Sequence, residues 1–207
     1  MRMQKPKNET RRLKVLWQYD VLDTVPEEVF DDLTDLAANI CEAPIALISL
    51  VDEDRQWFKA KIGTTVAETS RDVSFCAHAI LKPDLLIVPD ATKDKRFKNN
   101  PIVTGPQKIR FYAGAPLVTP DGYALGTLCV LDQKARTLRP QQAEALRVLA
   151  HHVVSQLELR RHARELSAAR ANGIQQCTEL ARARAEIARL RAQLARFTKA
   201  RTRKARR

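Results

Sequence analysis

The clearest chemical group in the chain is Cys76-Ala77-His78, a thiol and an imidazole two positions apart. A thiol reacts as its thiolate, and a helix N-terminus lowers a thiol pKa. Residues Phe75 to Leu81 have the composition of a short apolar helix that Ser74 would cap. On a helix, positions i and i+2 point in different directions, so Cys76 and His78 do not share one metal ion. Three readings of the pair stand side by side: a buried cysteine beside a satisfied histidine, pocket lining without chemistry, and redox or metal chemistry at the thiol. Cys41, Cys129 and Cys177 are far apart and form no C-x-x-C pair, so they read as structural, reduced cysteines of a cytoplasmic protein.

A second group lies downstream. Asp90, Asp94, Arg96, Phe97 and Asn100 follow a short apolar run, and Arg110-Phe111-Tyr112 opens another. Arg110 is the best candidate for holding an anionic ligand, because guanidinium forms paired hydrogen bonds to carboxylate or phosphate. The competing reading is an ion pair with Asp90 or Asp94. The candidate ligand-binding set is therefore Cys76, His78, Asp90, Arg96, Phe97, Arg110 and Tyr112. No catalytic constellation and no metal-ligating cluster is expected, and the sequence names no cofactor.

The elements that must position these residues can be read from periodicity. Glu9 to Asp20 has the spacing of a short amphipathic helix. A second helix is expected from Pro26 to Ala43, with Thr24 as its cap and Pro26 in its first turn. Ile45–Val51 and Gln56–Ile62 read as a strand hairpin, and Leu85–Val88 as a short strand. Residues 64–72 read as irregular, and Asp90–Phe97 as a short helix. Arg110–Val118 and Tyr123–Leu131 form a second hairpin around Pro120-Asp121-Gly122. From Pro140 onward the chain reads as helix. This order gives an α+β fold: a central antiparallel sheet flanked by helices, with a long C-terminal helix.

Charge divides the chain. Residues 160–207 carry fifteen Lys or Arg and three Glu, a net of +12 that equals the charge of the whole chain, so residues 1–159 are net neutral. In the same tail Leu159, Leu166, Gly173, Leu180, Ile187 and Leu194 recur every seven residues, with Ala169, Ala183, Leu190 and Phe197 at the +3 position. That is a coiled-coil seam weakened by Gly173, His162 and Gln176. The domains expected are an N-terminal arm and short helix at 1–26, a globular domain at 27–158 and a basic coiled-coil tail at 159–207. The polar, basic first dozen residues show no signal peptide, and no apolar run is long enough to cross a membrane.

Several linked segments carry a family resemblance: Arg71-Asp72-Val73-Ser74-Phe75-Cys76-Ala77-His78-Ala79-Ile80, Val88-Pro89-Asp90-Ala91-Thr92, Asp94-Lys95-Arg96-Phe97, Ile109-Arg110-Phe111-Tyr112-Ala113-Gly114-Ala115-Pro116-Leu117 and Leu125-Gly126-Thr127-Leu128-Cys129-Val130-Leu131-Asp132. Together they resemble GAF domains of the bacterial type found upstream of sensor histidine kinases and diguanylate cyclases. The resemblance implies that the first and last helices share one face of the sheet, with a ligand pocket on the other face under short helices and loops. It does not fix a ligand: the constellation of cyclic-nucleotide-binding GAF domains and the bilin-attaching Cys-His dipeptide are not found. Free methionine sulfoxide reductases are GAF enzymes with pocket cysteines; Cys76 matches one such position, but Tyr112-Ala113-Gly114 stands where another is wanted.

These observations combine into one expectation: a sensory or regulatory GAF module, not an enzyme, that binds a small molecule or partner and signals through a dimerising helix. Two alternatives stay open. One is sequence-independent binding of nucleic acid or another polyanion through residues 160–207. The other is a reductase of the free methionine sulfoxide type, which a thiol-dependent assay with Cys76→Ser would discriminate.

Overall fold

The computed structural model describes residues 4–204, with side chains described through residue 192. The expected seam positions Leu194 and Phe197, and the cluster of bases from Lys199 onward, therefore lie outside the described residues for their side chains. Two compact units are present, residues 1–161 and 162–207.

In the first unit, α1 (Glu9–Gln18) and α2 (Glu28–Cys41) precede the strand pair β1 (Ile45–Val51) and β2 (Arg55–Ile62). Next come β3 (Glu68–Ser70), the short α3 (Cys76–Ala79), β4 (Leu86–Val88), α4 (Pro101–Thr104), β5 (Phe111–Val118), β6 (Ala124–Asp132) and the first part of α5 (Pro140–Lys204), whose remainder belongs to the second unit. The six strands form one antiparallel sheet in the order β3-β2-β1-β6-β5-β4.

Strand alternation divides the core into two layers. Ala46, Ile48 and Leu50 of β1, Phe111, Ala113, Ala115 and Leu117 of β5, and Leu128 and Val130 of β6 face the helical layer. There they meet Leu16 of α1, Phe30, Ala37, Ala38 and Cys41 of α2, and Leu146, Leu149, Val153 and Leu157 of α5. The spacing of the buried α2 residues is that of a single helical stripe. On the opposite face Leu47, Val51, Tyr112, Cys129 and Leu131 pack with Phe75, Cys76, Ala79, Phe97, Val103 and Ile109. A bulge refines this pattern. Ile48 pairs with Ala60 while Ser49 pairs with Phe58, leaving Lys59 as the extra residue. Trp57 and Ala60, three apart, thereby share the helical layer, while Phe58 joins the other. The Lys59 side chain is fully buried, and its ammonium is satisfied by Glu27 Oε1 at 2.6 Å, Val25 O at 2.8 Å and Thr24 Oγ1 at 2.9 Å.

Three local expectations need correction. Helix α2 starts at Glu28, not at Pro26, because Glu27 is extended; Thr24 is engaged elsewhere, donating to Val21 O at 2.7 Å and accepting from Lys59. Residues 90–97 form turns instead of a helix. Asp90 Oδ1 accepts from the Thr92 amide and Asp94 Oδ1 from the Arg96 amide, local bonds that compete with helical ones. The helical turn comes later, at α4, where Asn100 caps the Ile102 amide at 3.0 Å and Pro101 occupies the first position. Residues 64–72 contain β3, which pairs with the edge of β2 through Arg55↔Ser70 and Trp57↔Glu68.

The second unit is helical. Among its described residues, Leu166, Leu180, Ile187 and Leu190 are each more than half exposed. No helix of the described residues is long and apolar enough to cross a membrane.

Candidate functional site

The site is built where α3 meets the middle of the sheet. Ser74 Oγ accepts the Ala77 amide at 3.0 Å and so caps the first turn of α3, which turns the Cys76 side chain down onto β6. Its Sγ lies 3.8 Å from Sγ of Cys129, a residue held between Leu47 of β1 and Gly114 of β5. Both thiols are buried. Tyr112 donates its phenol proton to Cys76 Sγ at 3.5 Å, with Thr127 Oγ1 also 3.5 Å from the phenol oxygen. Gly114 permits this: a Cβ there would collide with the Tyr112 phenol, so the ring lies along its own strand and delivers its hydroxyl to the thiols. Beside them, Gln56 accepts from the hydroxyls of Ser74 and Ser49 and donates to Thr69 at 2.7 Å.

This arrangement separates the two thiols electrostatically. Burial pushes the Cys76 thiol up, but hydrogen bonds from Cys129, Thr127, Tyr112 and Ser49 outweigh it and bring it below the ordinary thiol value. Burial, then the proximity of the Cys76 sulfur, pushes Cys129 well up. Burial and the charge on the two sulfurs raise the Tyr112 phenol, so it stays protonated and donates. Cys76 is the thiol of the pair that ionises first.

The other predicted residues fall into three environments. Phe97 is fully buried, with its ring 4.0 Å from Phe75, whose other neighbour is Tyr112 at 5.1 Å. His78, half-buried, packs edge-on to Phe97 at 4.8 Å, and its Nδ1 is 3.2 Å from Ser74 O. Burial lowers the His78 pKa below the ordinary imidazole value. Thus Cys76, His78, Phe97 and Tyr112 come together. Asp90 and Arg96 stay on the surface: Asp90 pairs with Lys93 at 3.2 Å, and Arg96 forms a two-point ion pair with Asp94 at 2.6 and 2.9 Å. Arg110 donates to the carbonyls of Val103 at 2.8 Å and Ile109 at 3.1 Å, tying the end of α4 to β5, and pairs with neither Asp90 nor Asp94.

Sequence reasoning missed Cys129, Thr127, Ser49 and Gln56. Cys129 and Thr127 share a strand face by their spacing of two, but nothing in the sequence says that α3 lands opposite them. Two clefts of 210 and 180 Å³ open elsewhere, beside Pro83 and Val118, and none of the seven candidate residues lines them. Among the described residues no group of three or more His, Cys, Asp or Glu could hold a metal ion.

The fold and the linked motifs place the chain in a known class. The sequence model of the GAF domain matches residues 25–157, and the chain belongs to the GAF domain family. A cyclic di-GMP phosphodiesterase of Pseudomonas aeruginosa is 47% identical over 131 residues, which cover 63% of this chain and 22% of that protein. The chain thus spans about a fifth of the length of the curated relative it matches. This relative overturns the expectation that the protein is not an enzyme, since the protein it resembles at that identity is named for a catalytic activity.

Solved structures agree on the fold. The GAF domain of a Coxiella burnetii phosphoenolpyruvate-protein phosphotransferase aligns with a TM-score of 0.56 at 16% identity, over 78% of this chain and 99% of that one. A domain of a Sinorhizobium meliloti two-component sensor histidine kinase gives 0.53 at 18% identity, over 70% and 97%. The free methionine-R-sulfoxide reductase of Neisseria meningitidis gives 0.54 at 16% identity, over 79% and 98%. At these identities the likeness concerns the fold alone. The GAF domain and its relatives make this chain a sensory or regulatory module.

Proposed function

We propose that this chain regulates the turnover of cyclic di-GMP: its GAF domain receives a small-molecule or partner signal on the α3 face, and its C-terminal helix relays that signal by pairing with a second copy. The observation that carries the reading is the exposed apolar repeat on α5. Leu166, Leu180, Ile187 and Leu190 are 51–54% exposed in the single chain, although the first three fall on the seven-residue repeat and Leu190 on its +3 position, the two seam positions of a coiled coil. Exposed apolar stripes of this kind mark association surfaces. The link to cyclic di-GMP comes from the Pseudomonas aeruginosa relative.

Sedimentation equilibrium of the full chain tests the pairing. A dimer at low micromolar concentration is expected, and Leu166→Glu with Leu180→Glu should make it monomeric. A wild-type chain that stays monomeric at tens of micromolar would refute it. For the enzymatic link, the matched segment of the relative is replaced by residues 27–158 of this chain. Cyclic di-GMP hydrolysis within about threefold of the parent is expected; activity as low as that of a variant lacking the segment would count against the reading.

The charge division favours a second role, binding of a polyanion such as duplex nucleic acid by residues 160–207, which hold fifteen bases and three acids. With Phe197 the one aromatic residue in that stretch, base stacking contributes little and the binding is sequence-independent. Counterion release then makes affinity fall by about a thousandfold between about 50 and 200 mM salt if six or more phosphates are contacted. Fluorescence anisotropy over a salt series checks this; binding that survives removal of residues 160–207 would sink it.

A further inference from the structure

The facing thiols of Cys76 and Cys129 have a use that the proposed regulatory role does not require. We propose that they form a reversible intramolecular disulfide in response to a peroxide, so that this face of the domain takes an oxidative input.

Four observations support the assignment. The two sulfurs are 3.8 Å apart and form a direct thiol–thiol contact. A disulfide needs them at about 2.0 Å, so the closure is less than 2 Å. The surroundings favour a thiolate at Cys76. Tyr112 donates to it, Thr127 and Ser49 hydroxyls are at hand, and the Cys129 thiol contacts it, all within a layer otherwise made of Leu, Ile, Val, Ala and Phe. The phenol reaches that position because residue 114 is glycine, the one residue that leaves room for it. Finally, the two partners differ in freedom. Cys129 sits on β6, paired on both sides by β1 and β5, whereas Cys76 begins a four-residue helix. α3 can therefore both make the closing movement and open locally to admit an oxidant as small as hydrogen peroxide, since short segments open at a fraction of the global unfolding free energy.

The chemistry balances. The Cys76 thiolate attacks one peroxide oxygen, the O–O bond breaks, and hydroxide leaves, giving a sulfenic acid on Cys76. The Cys129 sulfur then attacks the Cys76 sulfur. The S–S bond forms, the S–O bond breaks, and the departing oxygen takes the Cys129 proton and leaves as water. Two electrons pass from the sulfur pair to the peroxide; a cellular thiol returns them in two exchanges, the first thiol forming a mixed disulfide and a second releasing it as the thiol's own disulfide. The closure draws on α3 and so on the rings it carries into the layer: Phe75 against Phe97 and Tyr112, and His78 against Phe97. It also moves the connection that follows α3, where Pro83 borders both clefts.

Peptide mapping of the full chain tests the proposal. Reduced protein, freed of reductant, is treated with hydrogen peroxide in native buffer, alkylated, digested with trypsin without reduction, and analysed by mass spectrometry. The expected product joins the peptide Asp72–Lys93 (trypsin does not cut between Lys82 and Pro83) to the peptide Phe111–Lys134, two hydrogens lighter than the two together, and dithiothreitol separates them. In Cys129→Ser the sulfenic acid on Cys76 has no partner, so dimedone should label Cys76; in Cys76→Ser no dimedone adduct is expected at Cys129. Recovery of both cysteines as alkylated free thiols would overturn the proposal. So would pairing of either with Cys41 or Cys177, or a link that forms only in denaturant. The wild-type map decides the matter even if a variant fails to fold, which circular dichroism would report.

Discussion

The two faces of the sheet are made by the same strands, yet they carry different chemistry. The helical face is apolar, with Ala46, Ile48, Leu50, Leu128 and Val130 meeting three helices. The α3 face holds two thiols, a phenol, and the hydroxyls of Ser49, Ser74 and Thr127, under a helix of four residues. The first face is stabilised by area and by long helices whose ends are tied down. Arg12 and Arg71, both almost fully buried, share the carboxylate of Glu9 at 2.6–2.9 Å, and Arg12 also donates to Val51 O at 2.7 Å. The second depends on a few directional contacts and on a segment short enough to open. Stability and responsiveness are thus divided between opposite sides of one sheet.

That contrast can be broken by substitution. Leu128→Ala on the helical face should cost about 3–5 kcal/mol, because the surrounding helices cannot collapse into the space. Phe75→Ala on the other face should fall at the low end of the range for a buried phenylalanine, about 3 kcal/mol, because α3 can settle toward the sheet. Urea denaturation of both variants measures the difference; equal costs would show that the two faces are equally rigid.

Glu9→Ala should come next, at about 3 kcal/mol, since it leaves two buried guanidiniums without their anion. A smaller loss, near that of a surface ion pair, would mean that α1 contributes little to holding the helical face. Gly114→Ala should cost about 1–3 kcal/mol by forcing the Tyr112 ring aside, as overpacking does. It should also slow the reaction of Cys76 with peroxide at unchanged pH, which separates a displaced phenol from a general loss of stability. An unaltered rate would show that Tyr112 does not support the thiolate.

The smallest effect is one of pH. Burial pushes the Glu9 carboxyl up, but hydrogen bonds and charge from Arg12 and Arg71 overcome it and lower its pKa from 4.5 to about 2. A carboxyl depressed in the folded state contributes stability that is complete above its unfolded pKa and lost as pH falls through its folded one. Stability should therefore decline between about pH 4.5 and 2, by on the order of 1–2 kcal/mol from this group. The decline should be shallower in Glu9→Gln but not absent, because ion pairs and hydrogen bonds also lower the carboxyl pKa values of Asp23, Glu27 and Asp94. Denaturation followed at stepped pH gives the comparison.

Much of the architecture could be read in the sequence. The apolar runs at Ile45–Val51, Arg110–Val118 and Tyr123–Leu131 marked, to within a residue at their ends, the three strands that make the centre of the sheet, and the proline-free stretch after Pro140 marked the long helix. These signals are local: alternation and helical stripes are imposed by burial on the element itself. The same locality explains the misplaced helix at residues 90–97, where Asp side chains bonded to their own turn amides. The bulge that buries Lys59 left no mark in the residue pattern either.

The sequence by itself determined that Cys76 opens a capped helical turn, that Cys129 and Thr127 lie on one side of a strand, and that the positive charge belongs to the C-terminal stretch. Only the tertiary structure decided that those two cysteines, fifty-three positions apart, face each other across 3.8 Å. It also decided that Arg110 spends its guanidinium on the carbonyls of Val103 and Ile109. Local pattern sets which way a side chain points from its own backbone. What it meets there depends on the path of a distant segment, and that path is set by the packing of the whole core.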